Sequence, residues 1–208
     1  MSPLIINLKE KKVIVCGGGE VGARKASYFA PDCIIHVVSR SFSPLFDGLN
    51  IKRHILDIAT TTDEVLSDIF NGAFLVIAAT SDQHVNNRIG KLCRSMEILF
   101  NNADGDPGDV IIPSKIQGGN FVVAITTFGK SPAFSRYIRM QLEQQQVQFD
   151  RMVELQYRLR NLLKRIESRQ ERRSEILWAV LNDQEVWNNL SSDPKMAWNI
   201  VQGRYLNG

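Results

Sequence analysis

Cysteine is scarce in this 208-residue chain: Cys16, Cys33 and Cys93 are scattered, odd in number and at no metal-ligand spacing. That usage excludes a disulfide framework and predicts buried thiols in a reducing compartment. His36, His54 and His84 stand apart in the sequence with no Cys or His at ligand spacing, so no metal site is expected. No apolar run approaches the roughly 18 residues that span a bilayer. The opening segment Pro3 to Leu8 is too short for a secretory leader and runs into Lys9, Glu10, Lys11 and Lys12, so a cytoplasmic protein with no membrane partner is expected. The net charge of +3 is too small to imply nucleic acid. Internal repeats and low-complexity tracts are also lacking. A hydrophobic content of 44% with 23% charged residues describes an ordinary globular chain.

What is present begins with "VIVCGGGEVGARKA", a β-branched run followed by glycines and a helical pattern. Strand-like and helix-like stretches then alternate. Lys12 to Cys16, Cys33 to Ser39, Ile51 to Leu56, Phe74 to Ala79 and Ile98 to Asn101 read as strands. Val21 to Phe29, Asp63 to Phe70 and Asp82 to Cys93 read as helices. Such βαβ alternation predicts a mostly parallel sheet covered on both faces, with ligands at the carboxyl ends of its strands. After Asn101 comes a turn-rich loop, "NADGDPGD", then Val110 to Ile112 and Phe121 to Thr127, two apolar pieces without an intervening helix that read as an antiparallel addition. Ser131-Pro132 starts a helix, and the rest reads as helical, with Leu155, Leu159, Leu162, Leu163 and Ile166 on one face and Ile176, Leu177, Val180 and Leu181 on another. Ser191 to Pro194 marks a turn before a last helix around Lys195 to Val201.

Gly17, Gly19 and Gly22 fit G-x-G-x-x-G at the strand-to-helix turn. Gly17 would make the turn, Gly19 would admit a pyrophosphate to the backbone, and Gly22 would allow close packing of helix on strand. Free N–H groups of the first helical turn complete an anion site. The acid usual at the end of the second strand is missing: Ser39 can still bond a ribose, and Arg40 has the charge for a 2′-phosphate, so the chemistry admits NADP as well as NAD. Thr80-Ser81-Asp82 ends the fourth strand and reads equally as a helix cap or a cofactor contact.

Four blocks in order, "CGGGEVGARKA", "IAATSDQHVNNRI", "NNADGDPGDVIIPS" and "TTFGKSPAFSRYIR", resemble the precorrin-2 dehydrogenase family, which includes the N-terminal half of siroheme synthase and stand-alone dehydrogenase/ferrochelatases. The resemblance is strong over residues 3 to 150. It implies an α/β chain: an NAD-binding Rossmann-like parallel sheet over 1–112, a small β/α dimerisation region over 113–149 and a helical C-terminal domain over 150–208. It implies a homodimer that oxidises precorrin-2 to sirohydrochlorin, with insertion of ferrous iron as a further activity of some members. It places cofactor contacts at Gly17, Gly19, Glu20, Val21, Gly22, Ser39, Phe42, Ser43 and Thr80. The family's essential acid falls on Asp104, as base or orienting carboxylate; read without the resemblance, Asp104 is more simply a turn residue, as Asp106 and Asp109 are expected to be.

Ser131 matches a family serine associated with substrate, and Lys130 and Arg136 add charge for a substrate rich in carboxylates. The turn departs from the family's usual "GGTSP" by reading Phe128-Gly129-Lys130-Ser131-Pro132. Between Arg151 and Arg173, eight basic residues face three acidic ones. That run either lines a cleft for an acidic ring or is a solvated helix face. The competing function is a non-catalytic NAD-sensing module whose basic helical tail binds a partner; such a sensor would need no acidic loop at the nicotinamide end.

Overall fold

The computed structural model describes residues 1–105 and 108–206. The chain forms two compact units, residues 1–112 and 113–208. The first contains β1 (Lys12–Cys16), α1 (Glu20–Phe29), β2 (Ile34–Ser39), β3 (Ile51–Ile55), α2 (Asp63–Phe70), β4 (Ala73–Ala78), α3 (Gln83–Ser95) and β5 (Leu99–Asn102). A short 3-10 turn, Pro44–Phe46, separates β2 from β3.

All five strands are parallel in the order β3-β2-β1-β4-β5. The period-2 alternation of β1 explains why both faces are covered. Val13 and Val15 pack with Ala23, Ala26 and Phe29 of α1, whereas Ile14 and Cys16 pack with Leu66 and Phe70 of α2 and Ile89 and Cys93 of α3. Cys16 and Cys93 are buried as expected, while Cys33 is only half-buried. The strand order reverses between β2-β1 and β4, which opens a crevice at the carboxyl ends of β1 and β4.

The second unit starts with an antiparallel pair, β6 (Ser114–Gln117) and β7 (Val122–Ile125), followed by α4 (Pro132–Glu143), α5 (Gln146–Ile166), α6 (Gln170–Leu181), α7 (Gln184–Leu190) and α8 (Pro194–Val201). The expected strand Val110 to Ile112 is not one. Val110 and Ile112 pack against the core on the α1 face of the first unit, and the hairpin's first strand lies further on, at Ser114–Gln117. The hairpin turn is tied to α5 by Asp150, whose carboxylate accepts the N–H groups of Gly119 (2.9 Å) and Asn120 (2.7 Å). α5 spans position 150.

Leu155, Leu159 and Leu163 of α5 meet Ile176, Val180, Val186 and Leu190 in the helical core. α7 has too few periodic positions to stand out from sequence. Asp183 caps it from its N-terminus and also accepts from Tyr205 (2.8 Å) and Arg204 (2.5 Å), which pins the last described turn to α7. No helix among the described residues is long and apolar enough to cross a membrane.

One polar pair was not expected. His36 Nδ1 lies 3.0 Å from His54 Nε2 across β2 and β3. Partial burial, then the Lys12 ammonium, hold both rings below the ordinary histidine range, and His36 is lowered to about 4. The neighbouring His54 and Lys52 add to the effect on His36. Lys12 itself donates to the Ile69 and Asn71 carbonyls at the end of α2 (2.7 and 2.8 Å). The unfolded chain takes up a proton at about pH 6.5 while folded His36 resists until much lower. The pair's stabilisation is therefore complete above about pH 6.5 and lost as pH falls toward about 4. Thermal melts across that window are expected to show a shallower decline for His36→Gln, which can keep a hydrogen bond to His54, than for wild type; identical slopes would refute the assignment.

Candidate functional site: a dinucleotide cradle at the sheet crevice

The turn after β1 is built by three close approaches. Gly17 has φ +129°, a conformation that side-chain-bearing residues avoid, and a Cβ there would run into the Ala79 carbonyl. At Gly22 a Cβ would collide with the Gly17 carbonyl, so helix and turn touch as the motif requires. Gly18, which the motif leaves free, is as constrained: a Cβ would strike Ser41 O and the Ser39 side chain. Gly19 differs, because nothing lies within 4 Å of its Cβ position. It is the N-cap of α1 with extended backbone and no side chain over the helix end. The open space sits where the N–H groups of the first turn are free for an anion.

These glycines form one wall of a cavity of about 770 Å³. Glu20 and Val21 line it, as do Ser39, Thr80 and Asp104, so one space joins most of the expected cofactor residues to the expected acid. Gly22 lies buried behind the wall. Phe42 and Ser43 are absent from the wall and brace the turn from outside. The Ser43 N–H donates to Gly18 O (2.7 Å), its hydroxyl accepts from Leu45 N–H (3.3 Å), and Phe42 packs edge-on against Phe46. Thr80 serves both readings: it lines the cavity, while its hydroxyl donates to Asn86 Oδ1 (2.6 Å). The cap of α3 is Asp82, which accepts from His84 and Val85 N–H.

Asp104 follows β5 in a bend, and its N–H donates to Asn102 Oδ1 (3.2 Å). Its carboxylate is exposed and accepts no hydrogen bond from the described residues. Asp109, expected as a turn residue, accepts from Phe100 N–H (3.2 Å). Asp106 lies outside the described residues. Ser131, Lys130 and Arg136 belong to the second unit. Ser131 caps α4 by accepting from Phe134 N–H (3.2 Å), and Lys130 and Arg136 are exposed.

Three residues of the site went unnoticed in the sequence. Asn86 is fully buried and bonds Thr80 through N–H, hydroxyl and carbonyl. Its signal was a polar residue on the Asn86-Ile89-Cys93 stripe of α3, a core face. Gly18 carried none beyond its place between two motif glycines. Asp57, just past β3, lines the cavity and pairs with Arg40 at 3.4 Å; only the pairing of β3 beside β2 reveals it.

The residues fit a pyridine dinucleotide: a glycine cradle, free helix N–H groups and polar side chains at the next two strand ends. This defines a Rossmann-type NAD(P)-binding protein, and residues 4–114 match a family model described as NAD(P)-binding. The expected cofactor, NAD, is of that class. The chain belongs to the precorrin-2 dehydrogenase family. It is 39% identical over 200 residues to the precorrin-2 dehydrogenase of Methanosarcina barkeri (strain Fusaro / DSM 804), covering 94% of this chain and 89% of that one. The siroheme synthase of Nitrosomonas eutropha (strain DSM 101675 / C91 / Nm57) is 33% identical over 143 residues, which are 68% of this chain but 30% of that protein. A solved structure described as SirC, precorrin-2 dehydrogenase, shares the fold with a TM-score of 0.70, covering 98% of this chain and all of that one at 23% identity.

The glycines separate folding from binding. Gly18→Ala is expected to lower the melting temperature by several degrees, in line with about 1–3 kcal/mol for overpacking. Gly19→Asp should melt as wild type yet lose NAD binding by titration calorimetry. Normal NAD affinity in the Gly19→Asp variant would move the cofactor elsewhere.

Proposed function

We propose that this chain is an oxidoreductase that converts precorrin-2 to sirohydrochlorin with NAD, in siroheme or related tetrapyrrole synthesis. The observation that carries the reading is Asp104 on the wall of the glycine cavity with its carboxylate unclaimed by the described residues. The family membership and the names of the relatives supply the substrate.

When bound, NAD supplies a hydride acceptor. Gly19 and the first turn of α1 would hold the pyrophosphate through backbone N–H groups at the turn that Gly17 makes, and Ser39 and Thr80 line the wall where ribose and nicotinamide would lie. Asp104 takes the proton that leaves the macrocycle as the hydride departs, so the ring loses two electrons and two hydrogens. Ser131, Lys130 and Arg136 meet substrate carboxylates, the guanidinium and ammonium by charge and the α4 terminus by its N–H groups. Iron insertion into the product would use ferrous iron as a substrate and Asp104 again as base. Among the described residues no group of three or more His, Cys, Asp or Glu could hold a metal.

The active form is a homodimer in the cytoplasm. Phe134, Tyr137 and Met140 recur along α4, each at least half exposed, and the β6–β7 sheet pairs with no further strand among the described residues. Both features suit a second copy of the chain.

Anaerobic incubation with precorrin-2 and NAD should produce the absorption of sirohydrochlorin together with NADH. Asp104→Ala is expected to retain NAD affinity within about twofold while turnover falls by about 10²-fold or more. A near-wild-type rate would remove Asp104 from the chemistry. NAD binding without any spectral change in the wild-type protein would leave an NAD-sensing module instead.

A further inference from the structure

The cavity wall has an uneven charge. Glu20, Asp57, Asp82 and Asp104 contribute carboxylates, and Arg40 is the one cation among the described residues of the wall. Arg40 is also the group whose charge suits a 2′-phosphate, and the structure pairs it with Asp57: Arg40 NH1 lies 3.4 Å from Asp57 Oδ2.

The placement of Asp57 follows from the sheet. Ser39 and Ile55 are register partners, and Leu56 N–H donates to Ser39 O (3.2 Å), continuing the ladder one residue beyond β3. Asp57 is the next residue and so emerges beside Ser39 and Arg40 at the end of β2, where a Rossmann site reads the adenosine ribose. Its backbone and side chain are fixed. Oδ1 accepts Ala59 N–H (3.0 Å), and the carbonyl accepts the Thr61 hydroxyl (2.6 Å) and N–H (3.0 Å). Those bonds leave carboxylate lone pairs for the two hydroxyls of an unsubstituted ribose.

We infer that Asp57, delivered from β3 and paired with Arg40, is the residue that makes this site select NAD over NADP. The inference rests on the cavity holding a dinucleotide, as proposed above. A ribose diol donates to the carboxylate. A 2′-phosphate replaces one donor with a dianion beside a fixed anion, and it must share Arg40 with Asp57. Asp57 thus takes over from strand β3 the task that Ser39 is too short and neutral to perform at the end of β2.

Affinities of wild type and variants for NAD, and separately for NADP, by titration calorimetry test this without turnover. Wild type should bind NAD at least about tenfold more tightly, as expected when a charged hydrogen bond is lost and a like charge is brought close. Asp57→Asn keeps an oxygen for Ala59 N–H and removes the charge; its NAD-to-NADP preference should fall by about tenfold or more. Arg40→Glu should shift the preference in the opposite direction by a similar factor, and it serves alone if Asp57→Asn does not fold. A wild type that prefers NADP, or preferences unchanged within twofold in the folded variants, would overturn the inference while leaving the dinucleotide site in place. Failure of wild type to bind either nucleotide would overturn the cofactor reading and this inference together.

Discussion

The backbone turn at Gly17 is the constraint on which the rest of the first unit depends. β1 must end and α1 begin within three residues, at the center of a parallel sheet whose neighbours on both sides are still paired. The Gly17 N–H donates to Val38 O (2.9 Å) and the Ala79 N–H to Cys16 O (2.8 Å), so the turn is held from β2 and from the end of β4 at once. With both flanks fixed, the chain can leave the sheet only through a positive φ, and the Ala79 carbonyl occupies the place of any side chain at position 17. The N-terminus of α1 is thereby aimed into the crevice made by the reversal of strand order, and a cavity is the geometric result.

That arrangement also sorts the polar groups around the cavity by what they can still do. Cys16 ends β1 directly beneath the turn, yet it is fully buried, and desolvation pushes its thiol well above the ordinary range. It stays protonated and inert as nucleophile or ligand. Asn86 is spent on fixing Thr80, and Asp82 on capping α3. The cavity's chemistry is therefore left to backbone N–H groups and to a few side chains at the strand ends.

The sheet of the first unit was legible because hydrophobic period and turn chemistry agree there. α2 falls at the expected residues, and β1 as well, since a run such as Val13-Ile14-Val15 between charged and glycine-rich stretches has few alternative conformations. Val110 to Ile112 misled because an apolar triplet after a turn can pack on an existing core as readily as it can pair; here it lies against the α1 face of the sheet, with the Val110 carbonyl bonded by Asn101 Nδ2 (2.6 Å). The glycine cradle was readable as a local motif. Asp57 and the His36–His54 pair were not, because each depends on which strand ends lie side by side, and strand order is a property of the whole sheet rather than of any short segment.

Hydrogen bonding distinguishes Asp104 from the carboxylates near it, which residue type cannot do. Asp109 is engaged by Phe100 N–H and Asp82 by two helix N–H groups, so protonating either would break a bond that shapes the fold. Asp104 is attached through its main chain instead, with its N–H donated to Asn102 Oδ1, and Asn102 is itself a buried residue at the end of β5. The position of the carboxyl group is thus set by the backbone, while its oxygens carry no structural duty toward the described residues. This arrangement suits the proton transfer proposed for Asp104, because a fold-bearing hydrogen bond to those oxygens would be disturbed with every cycle.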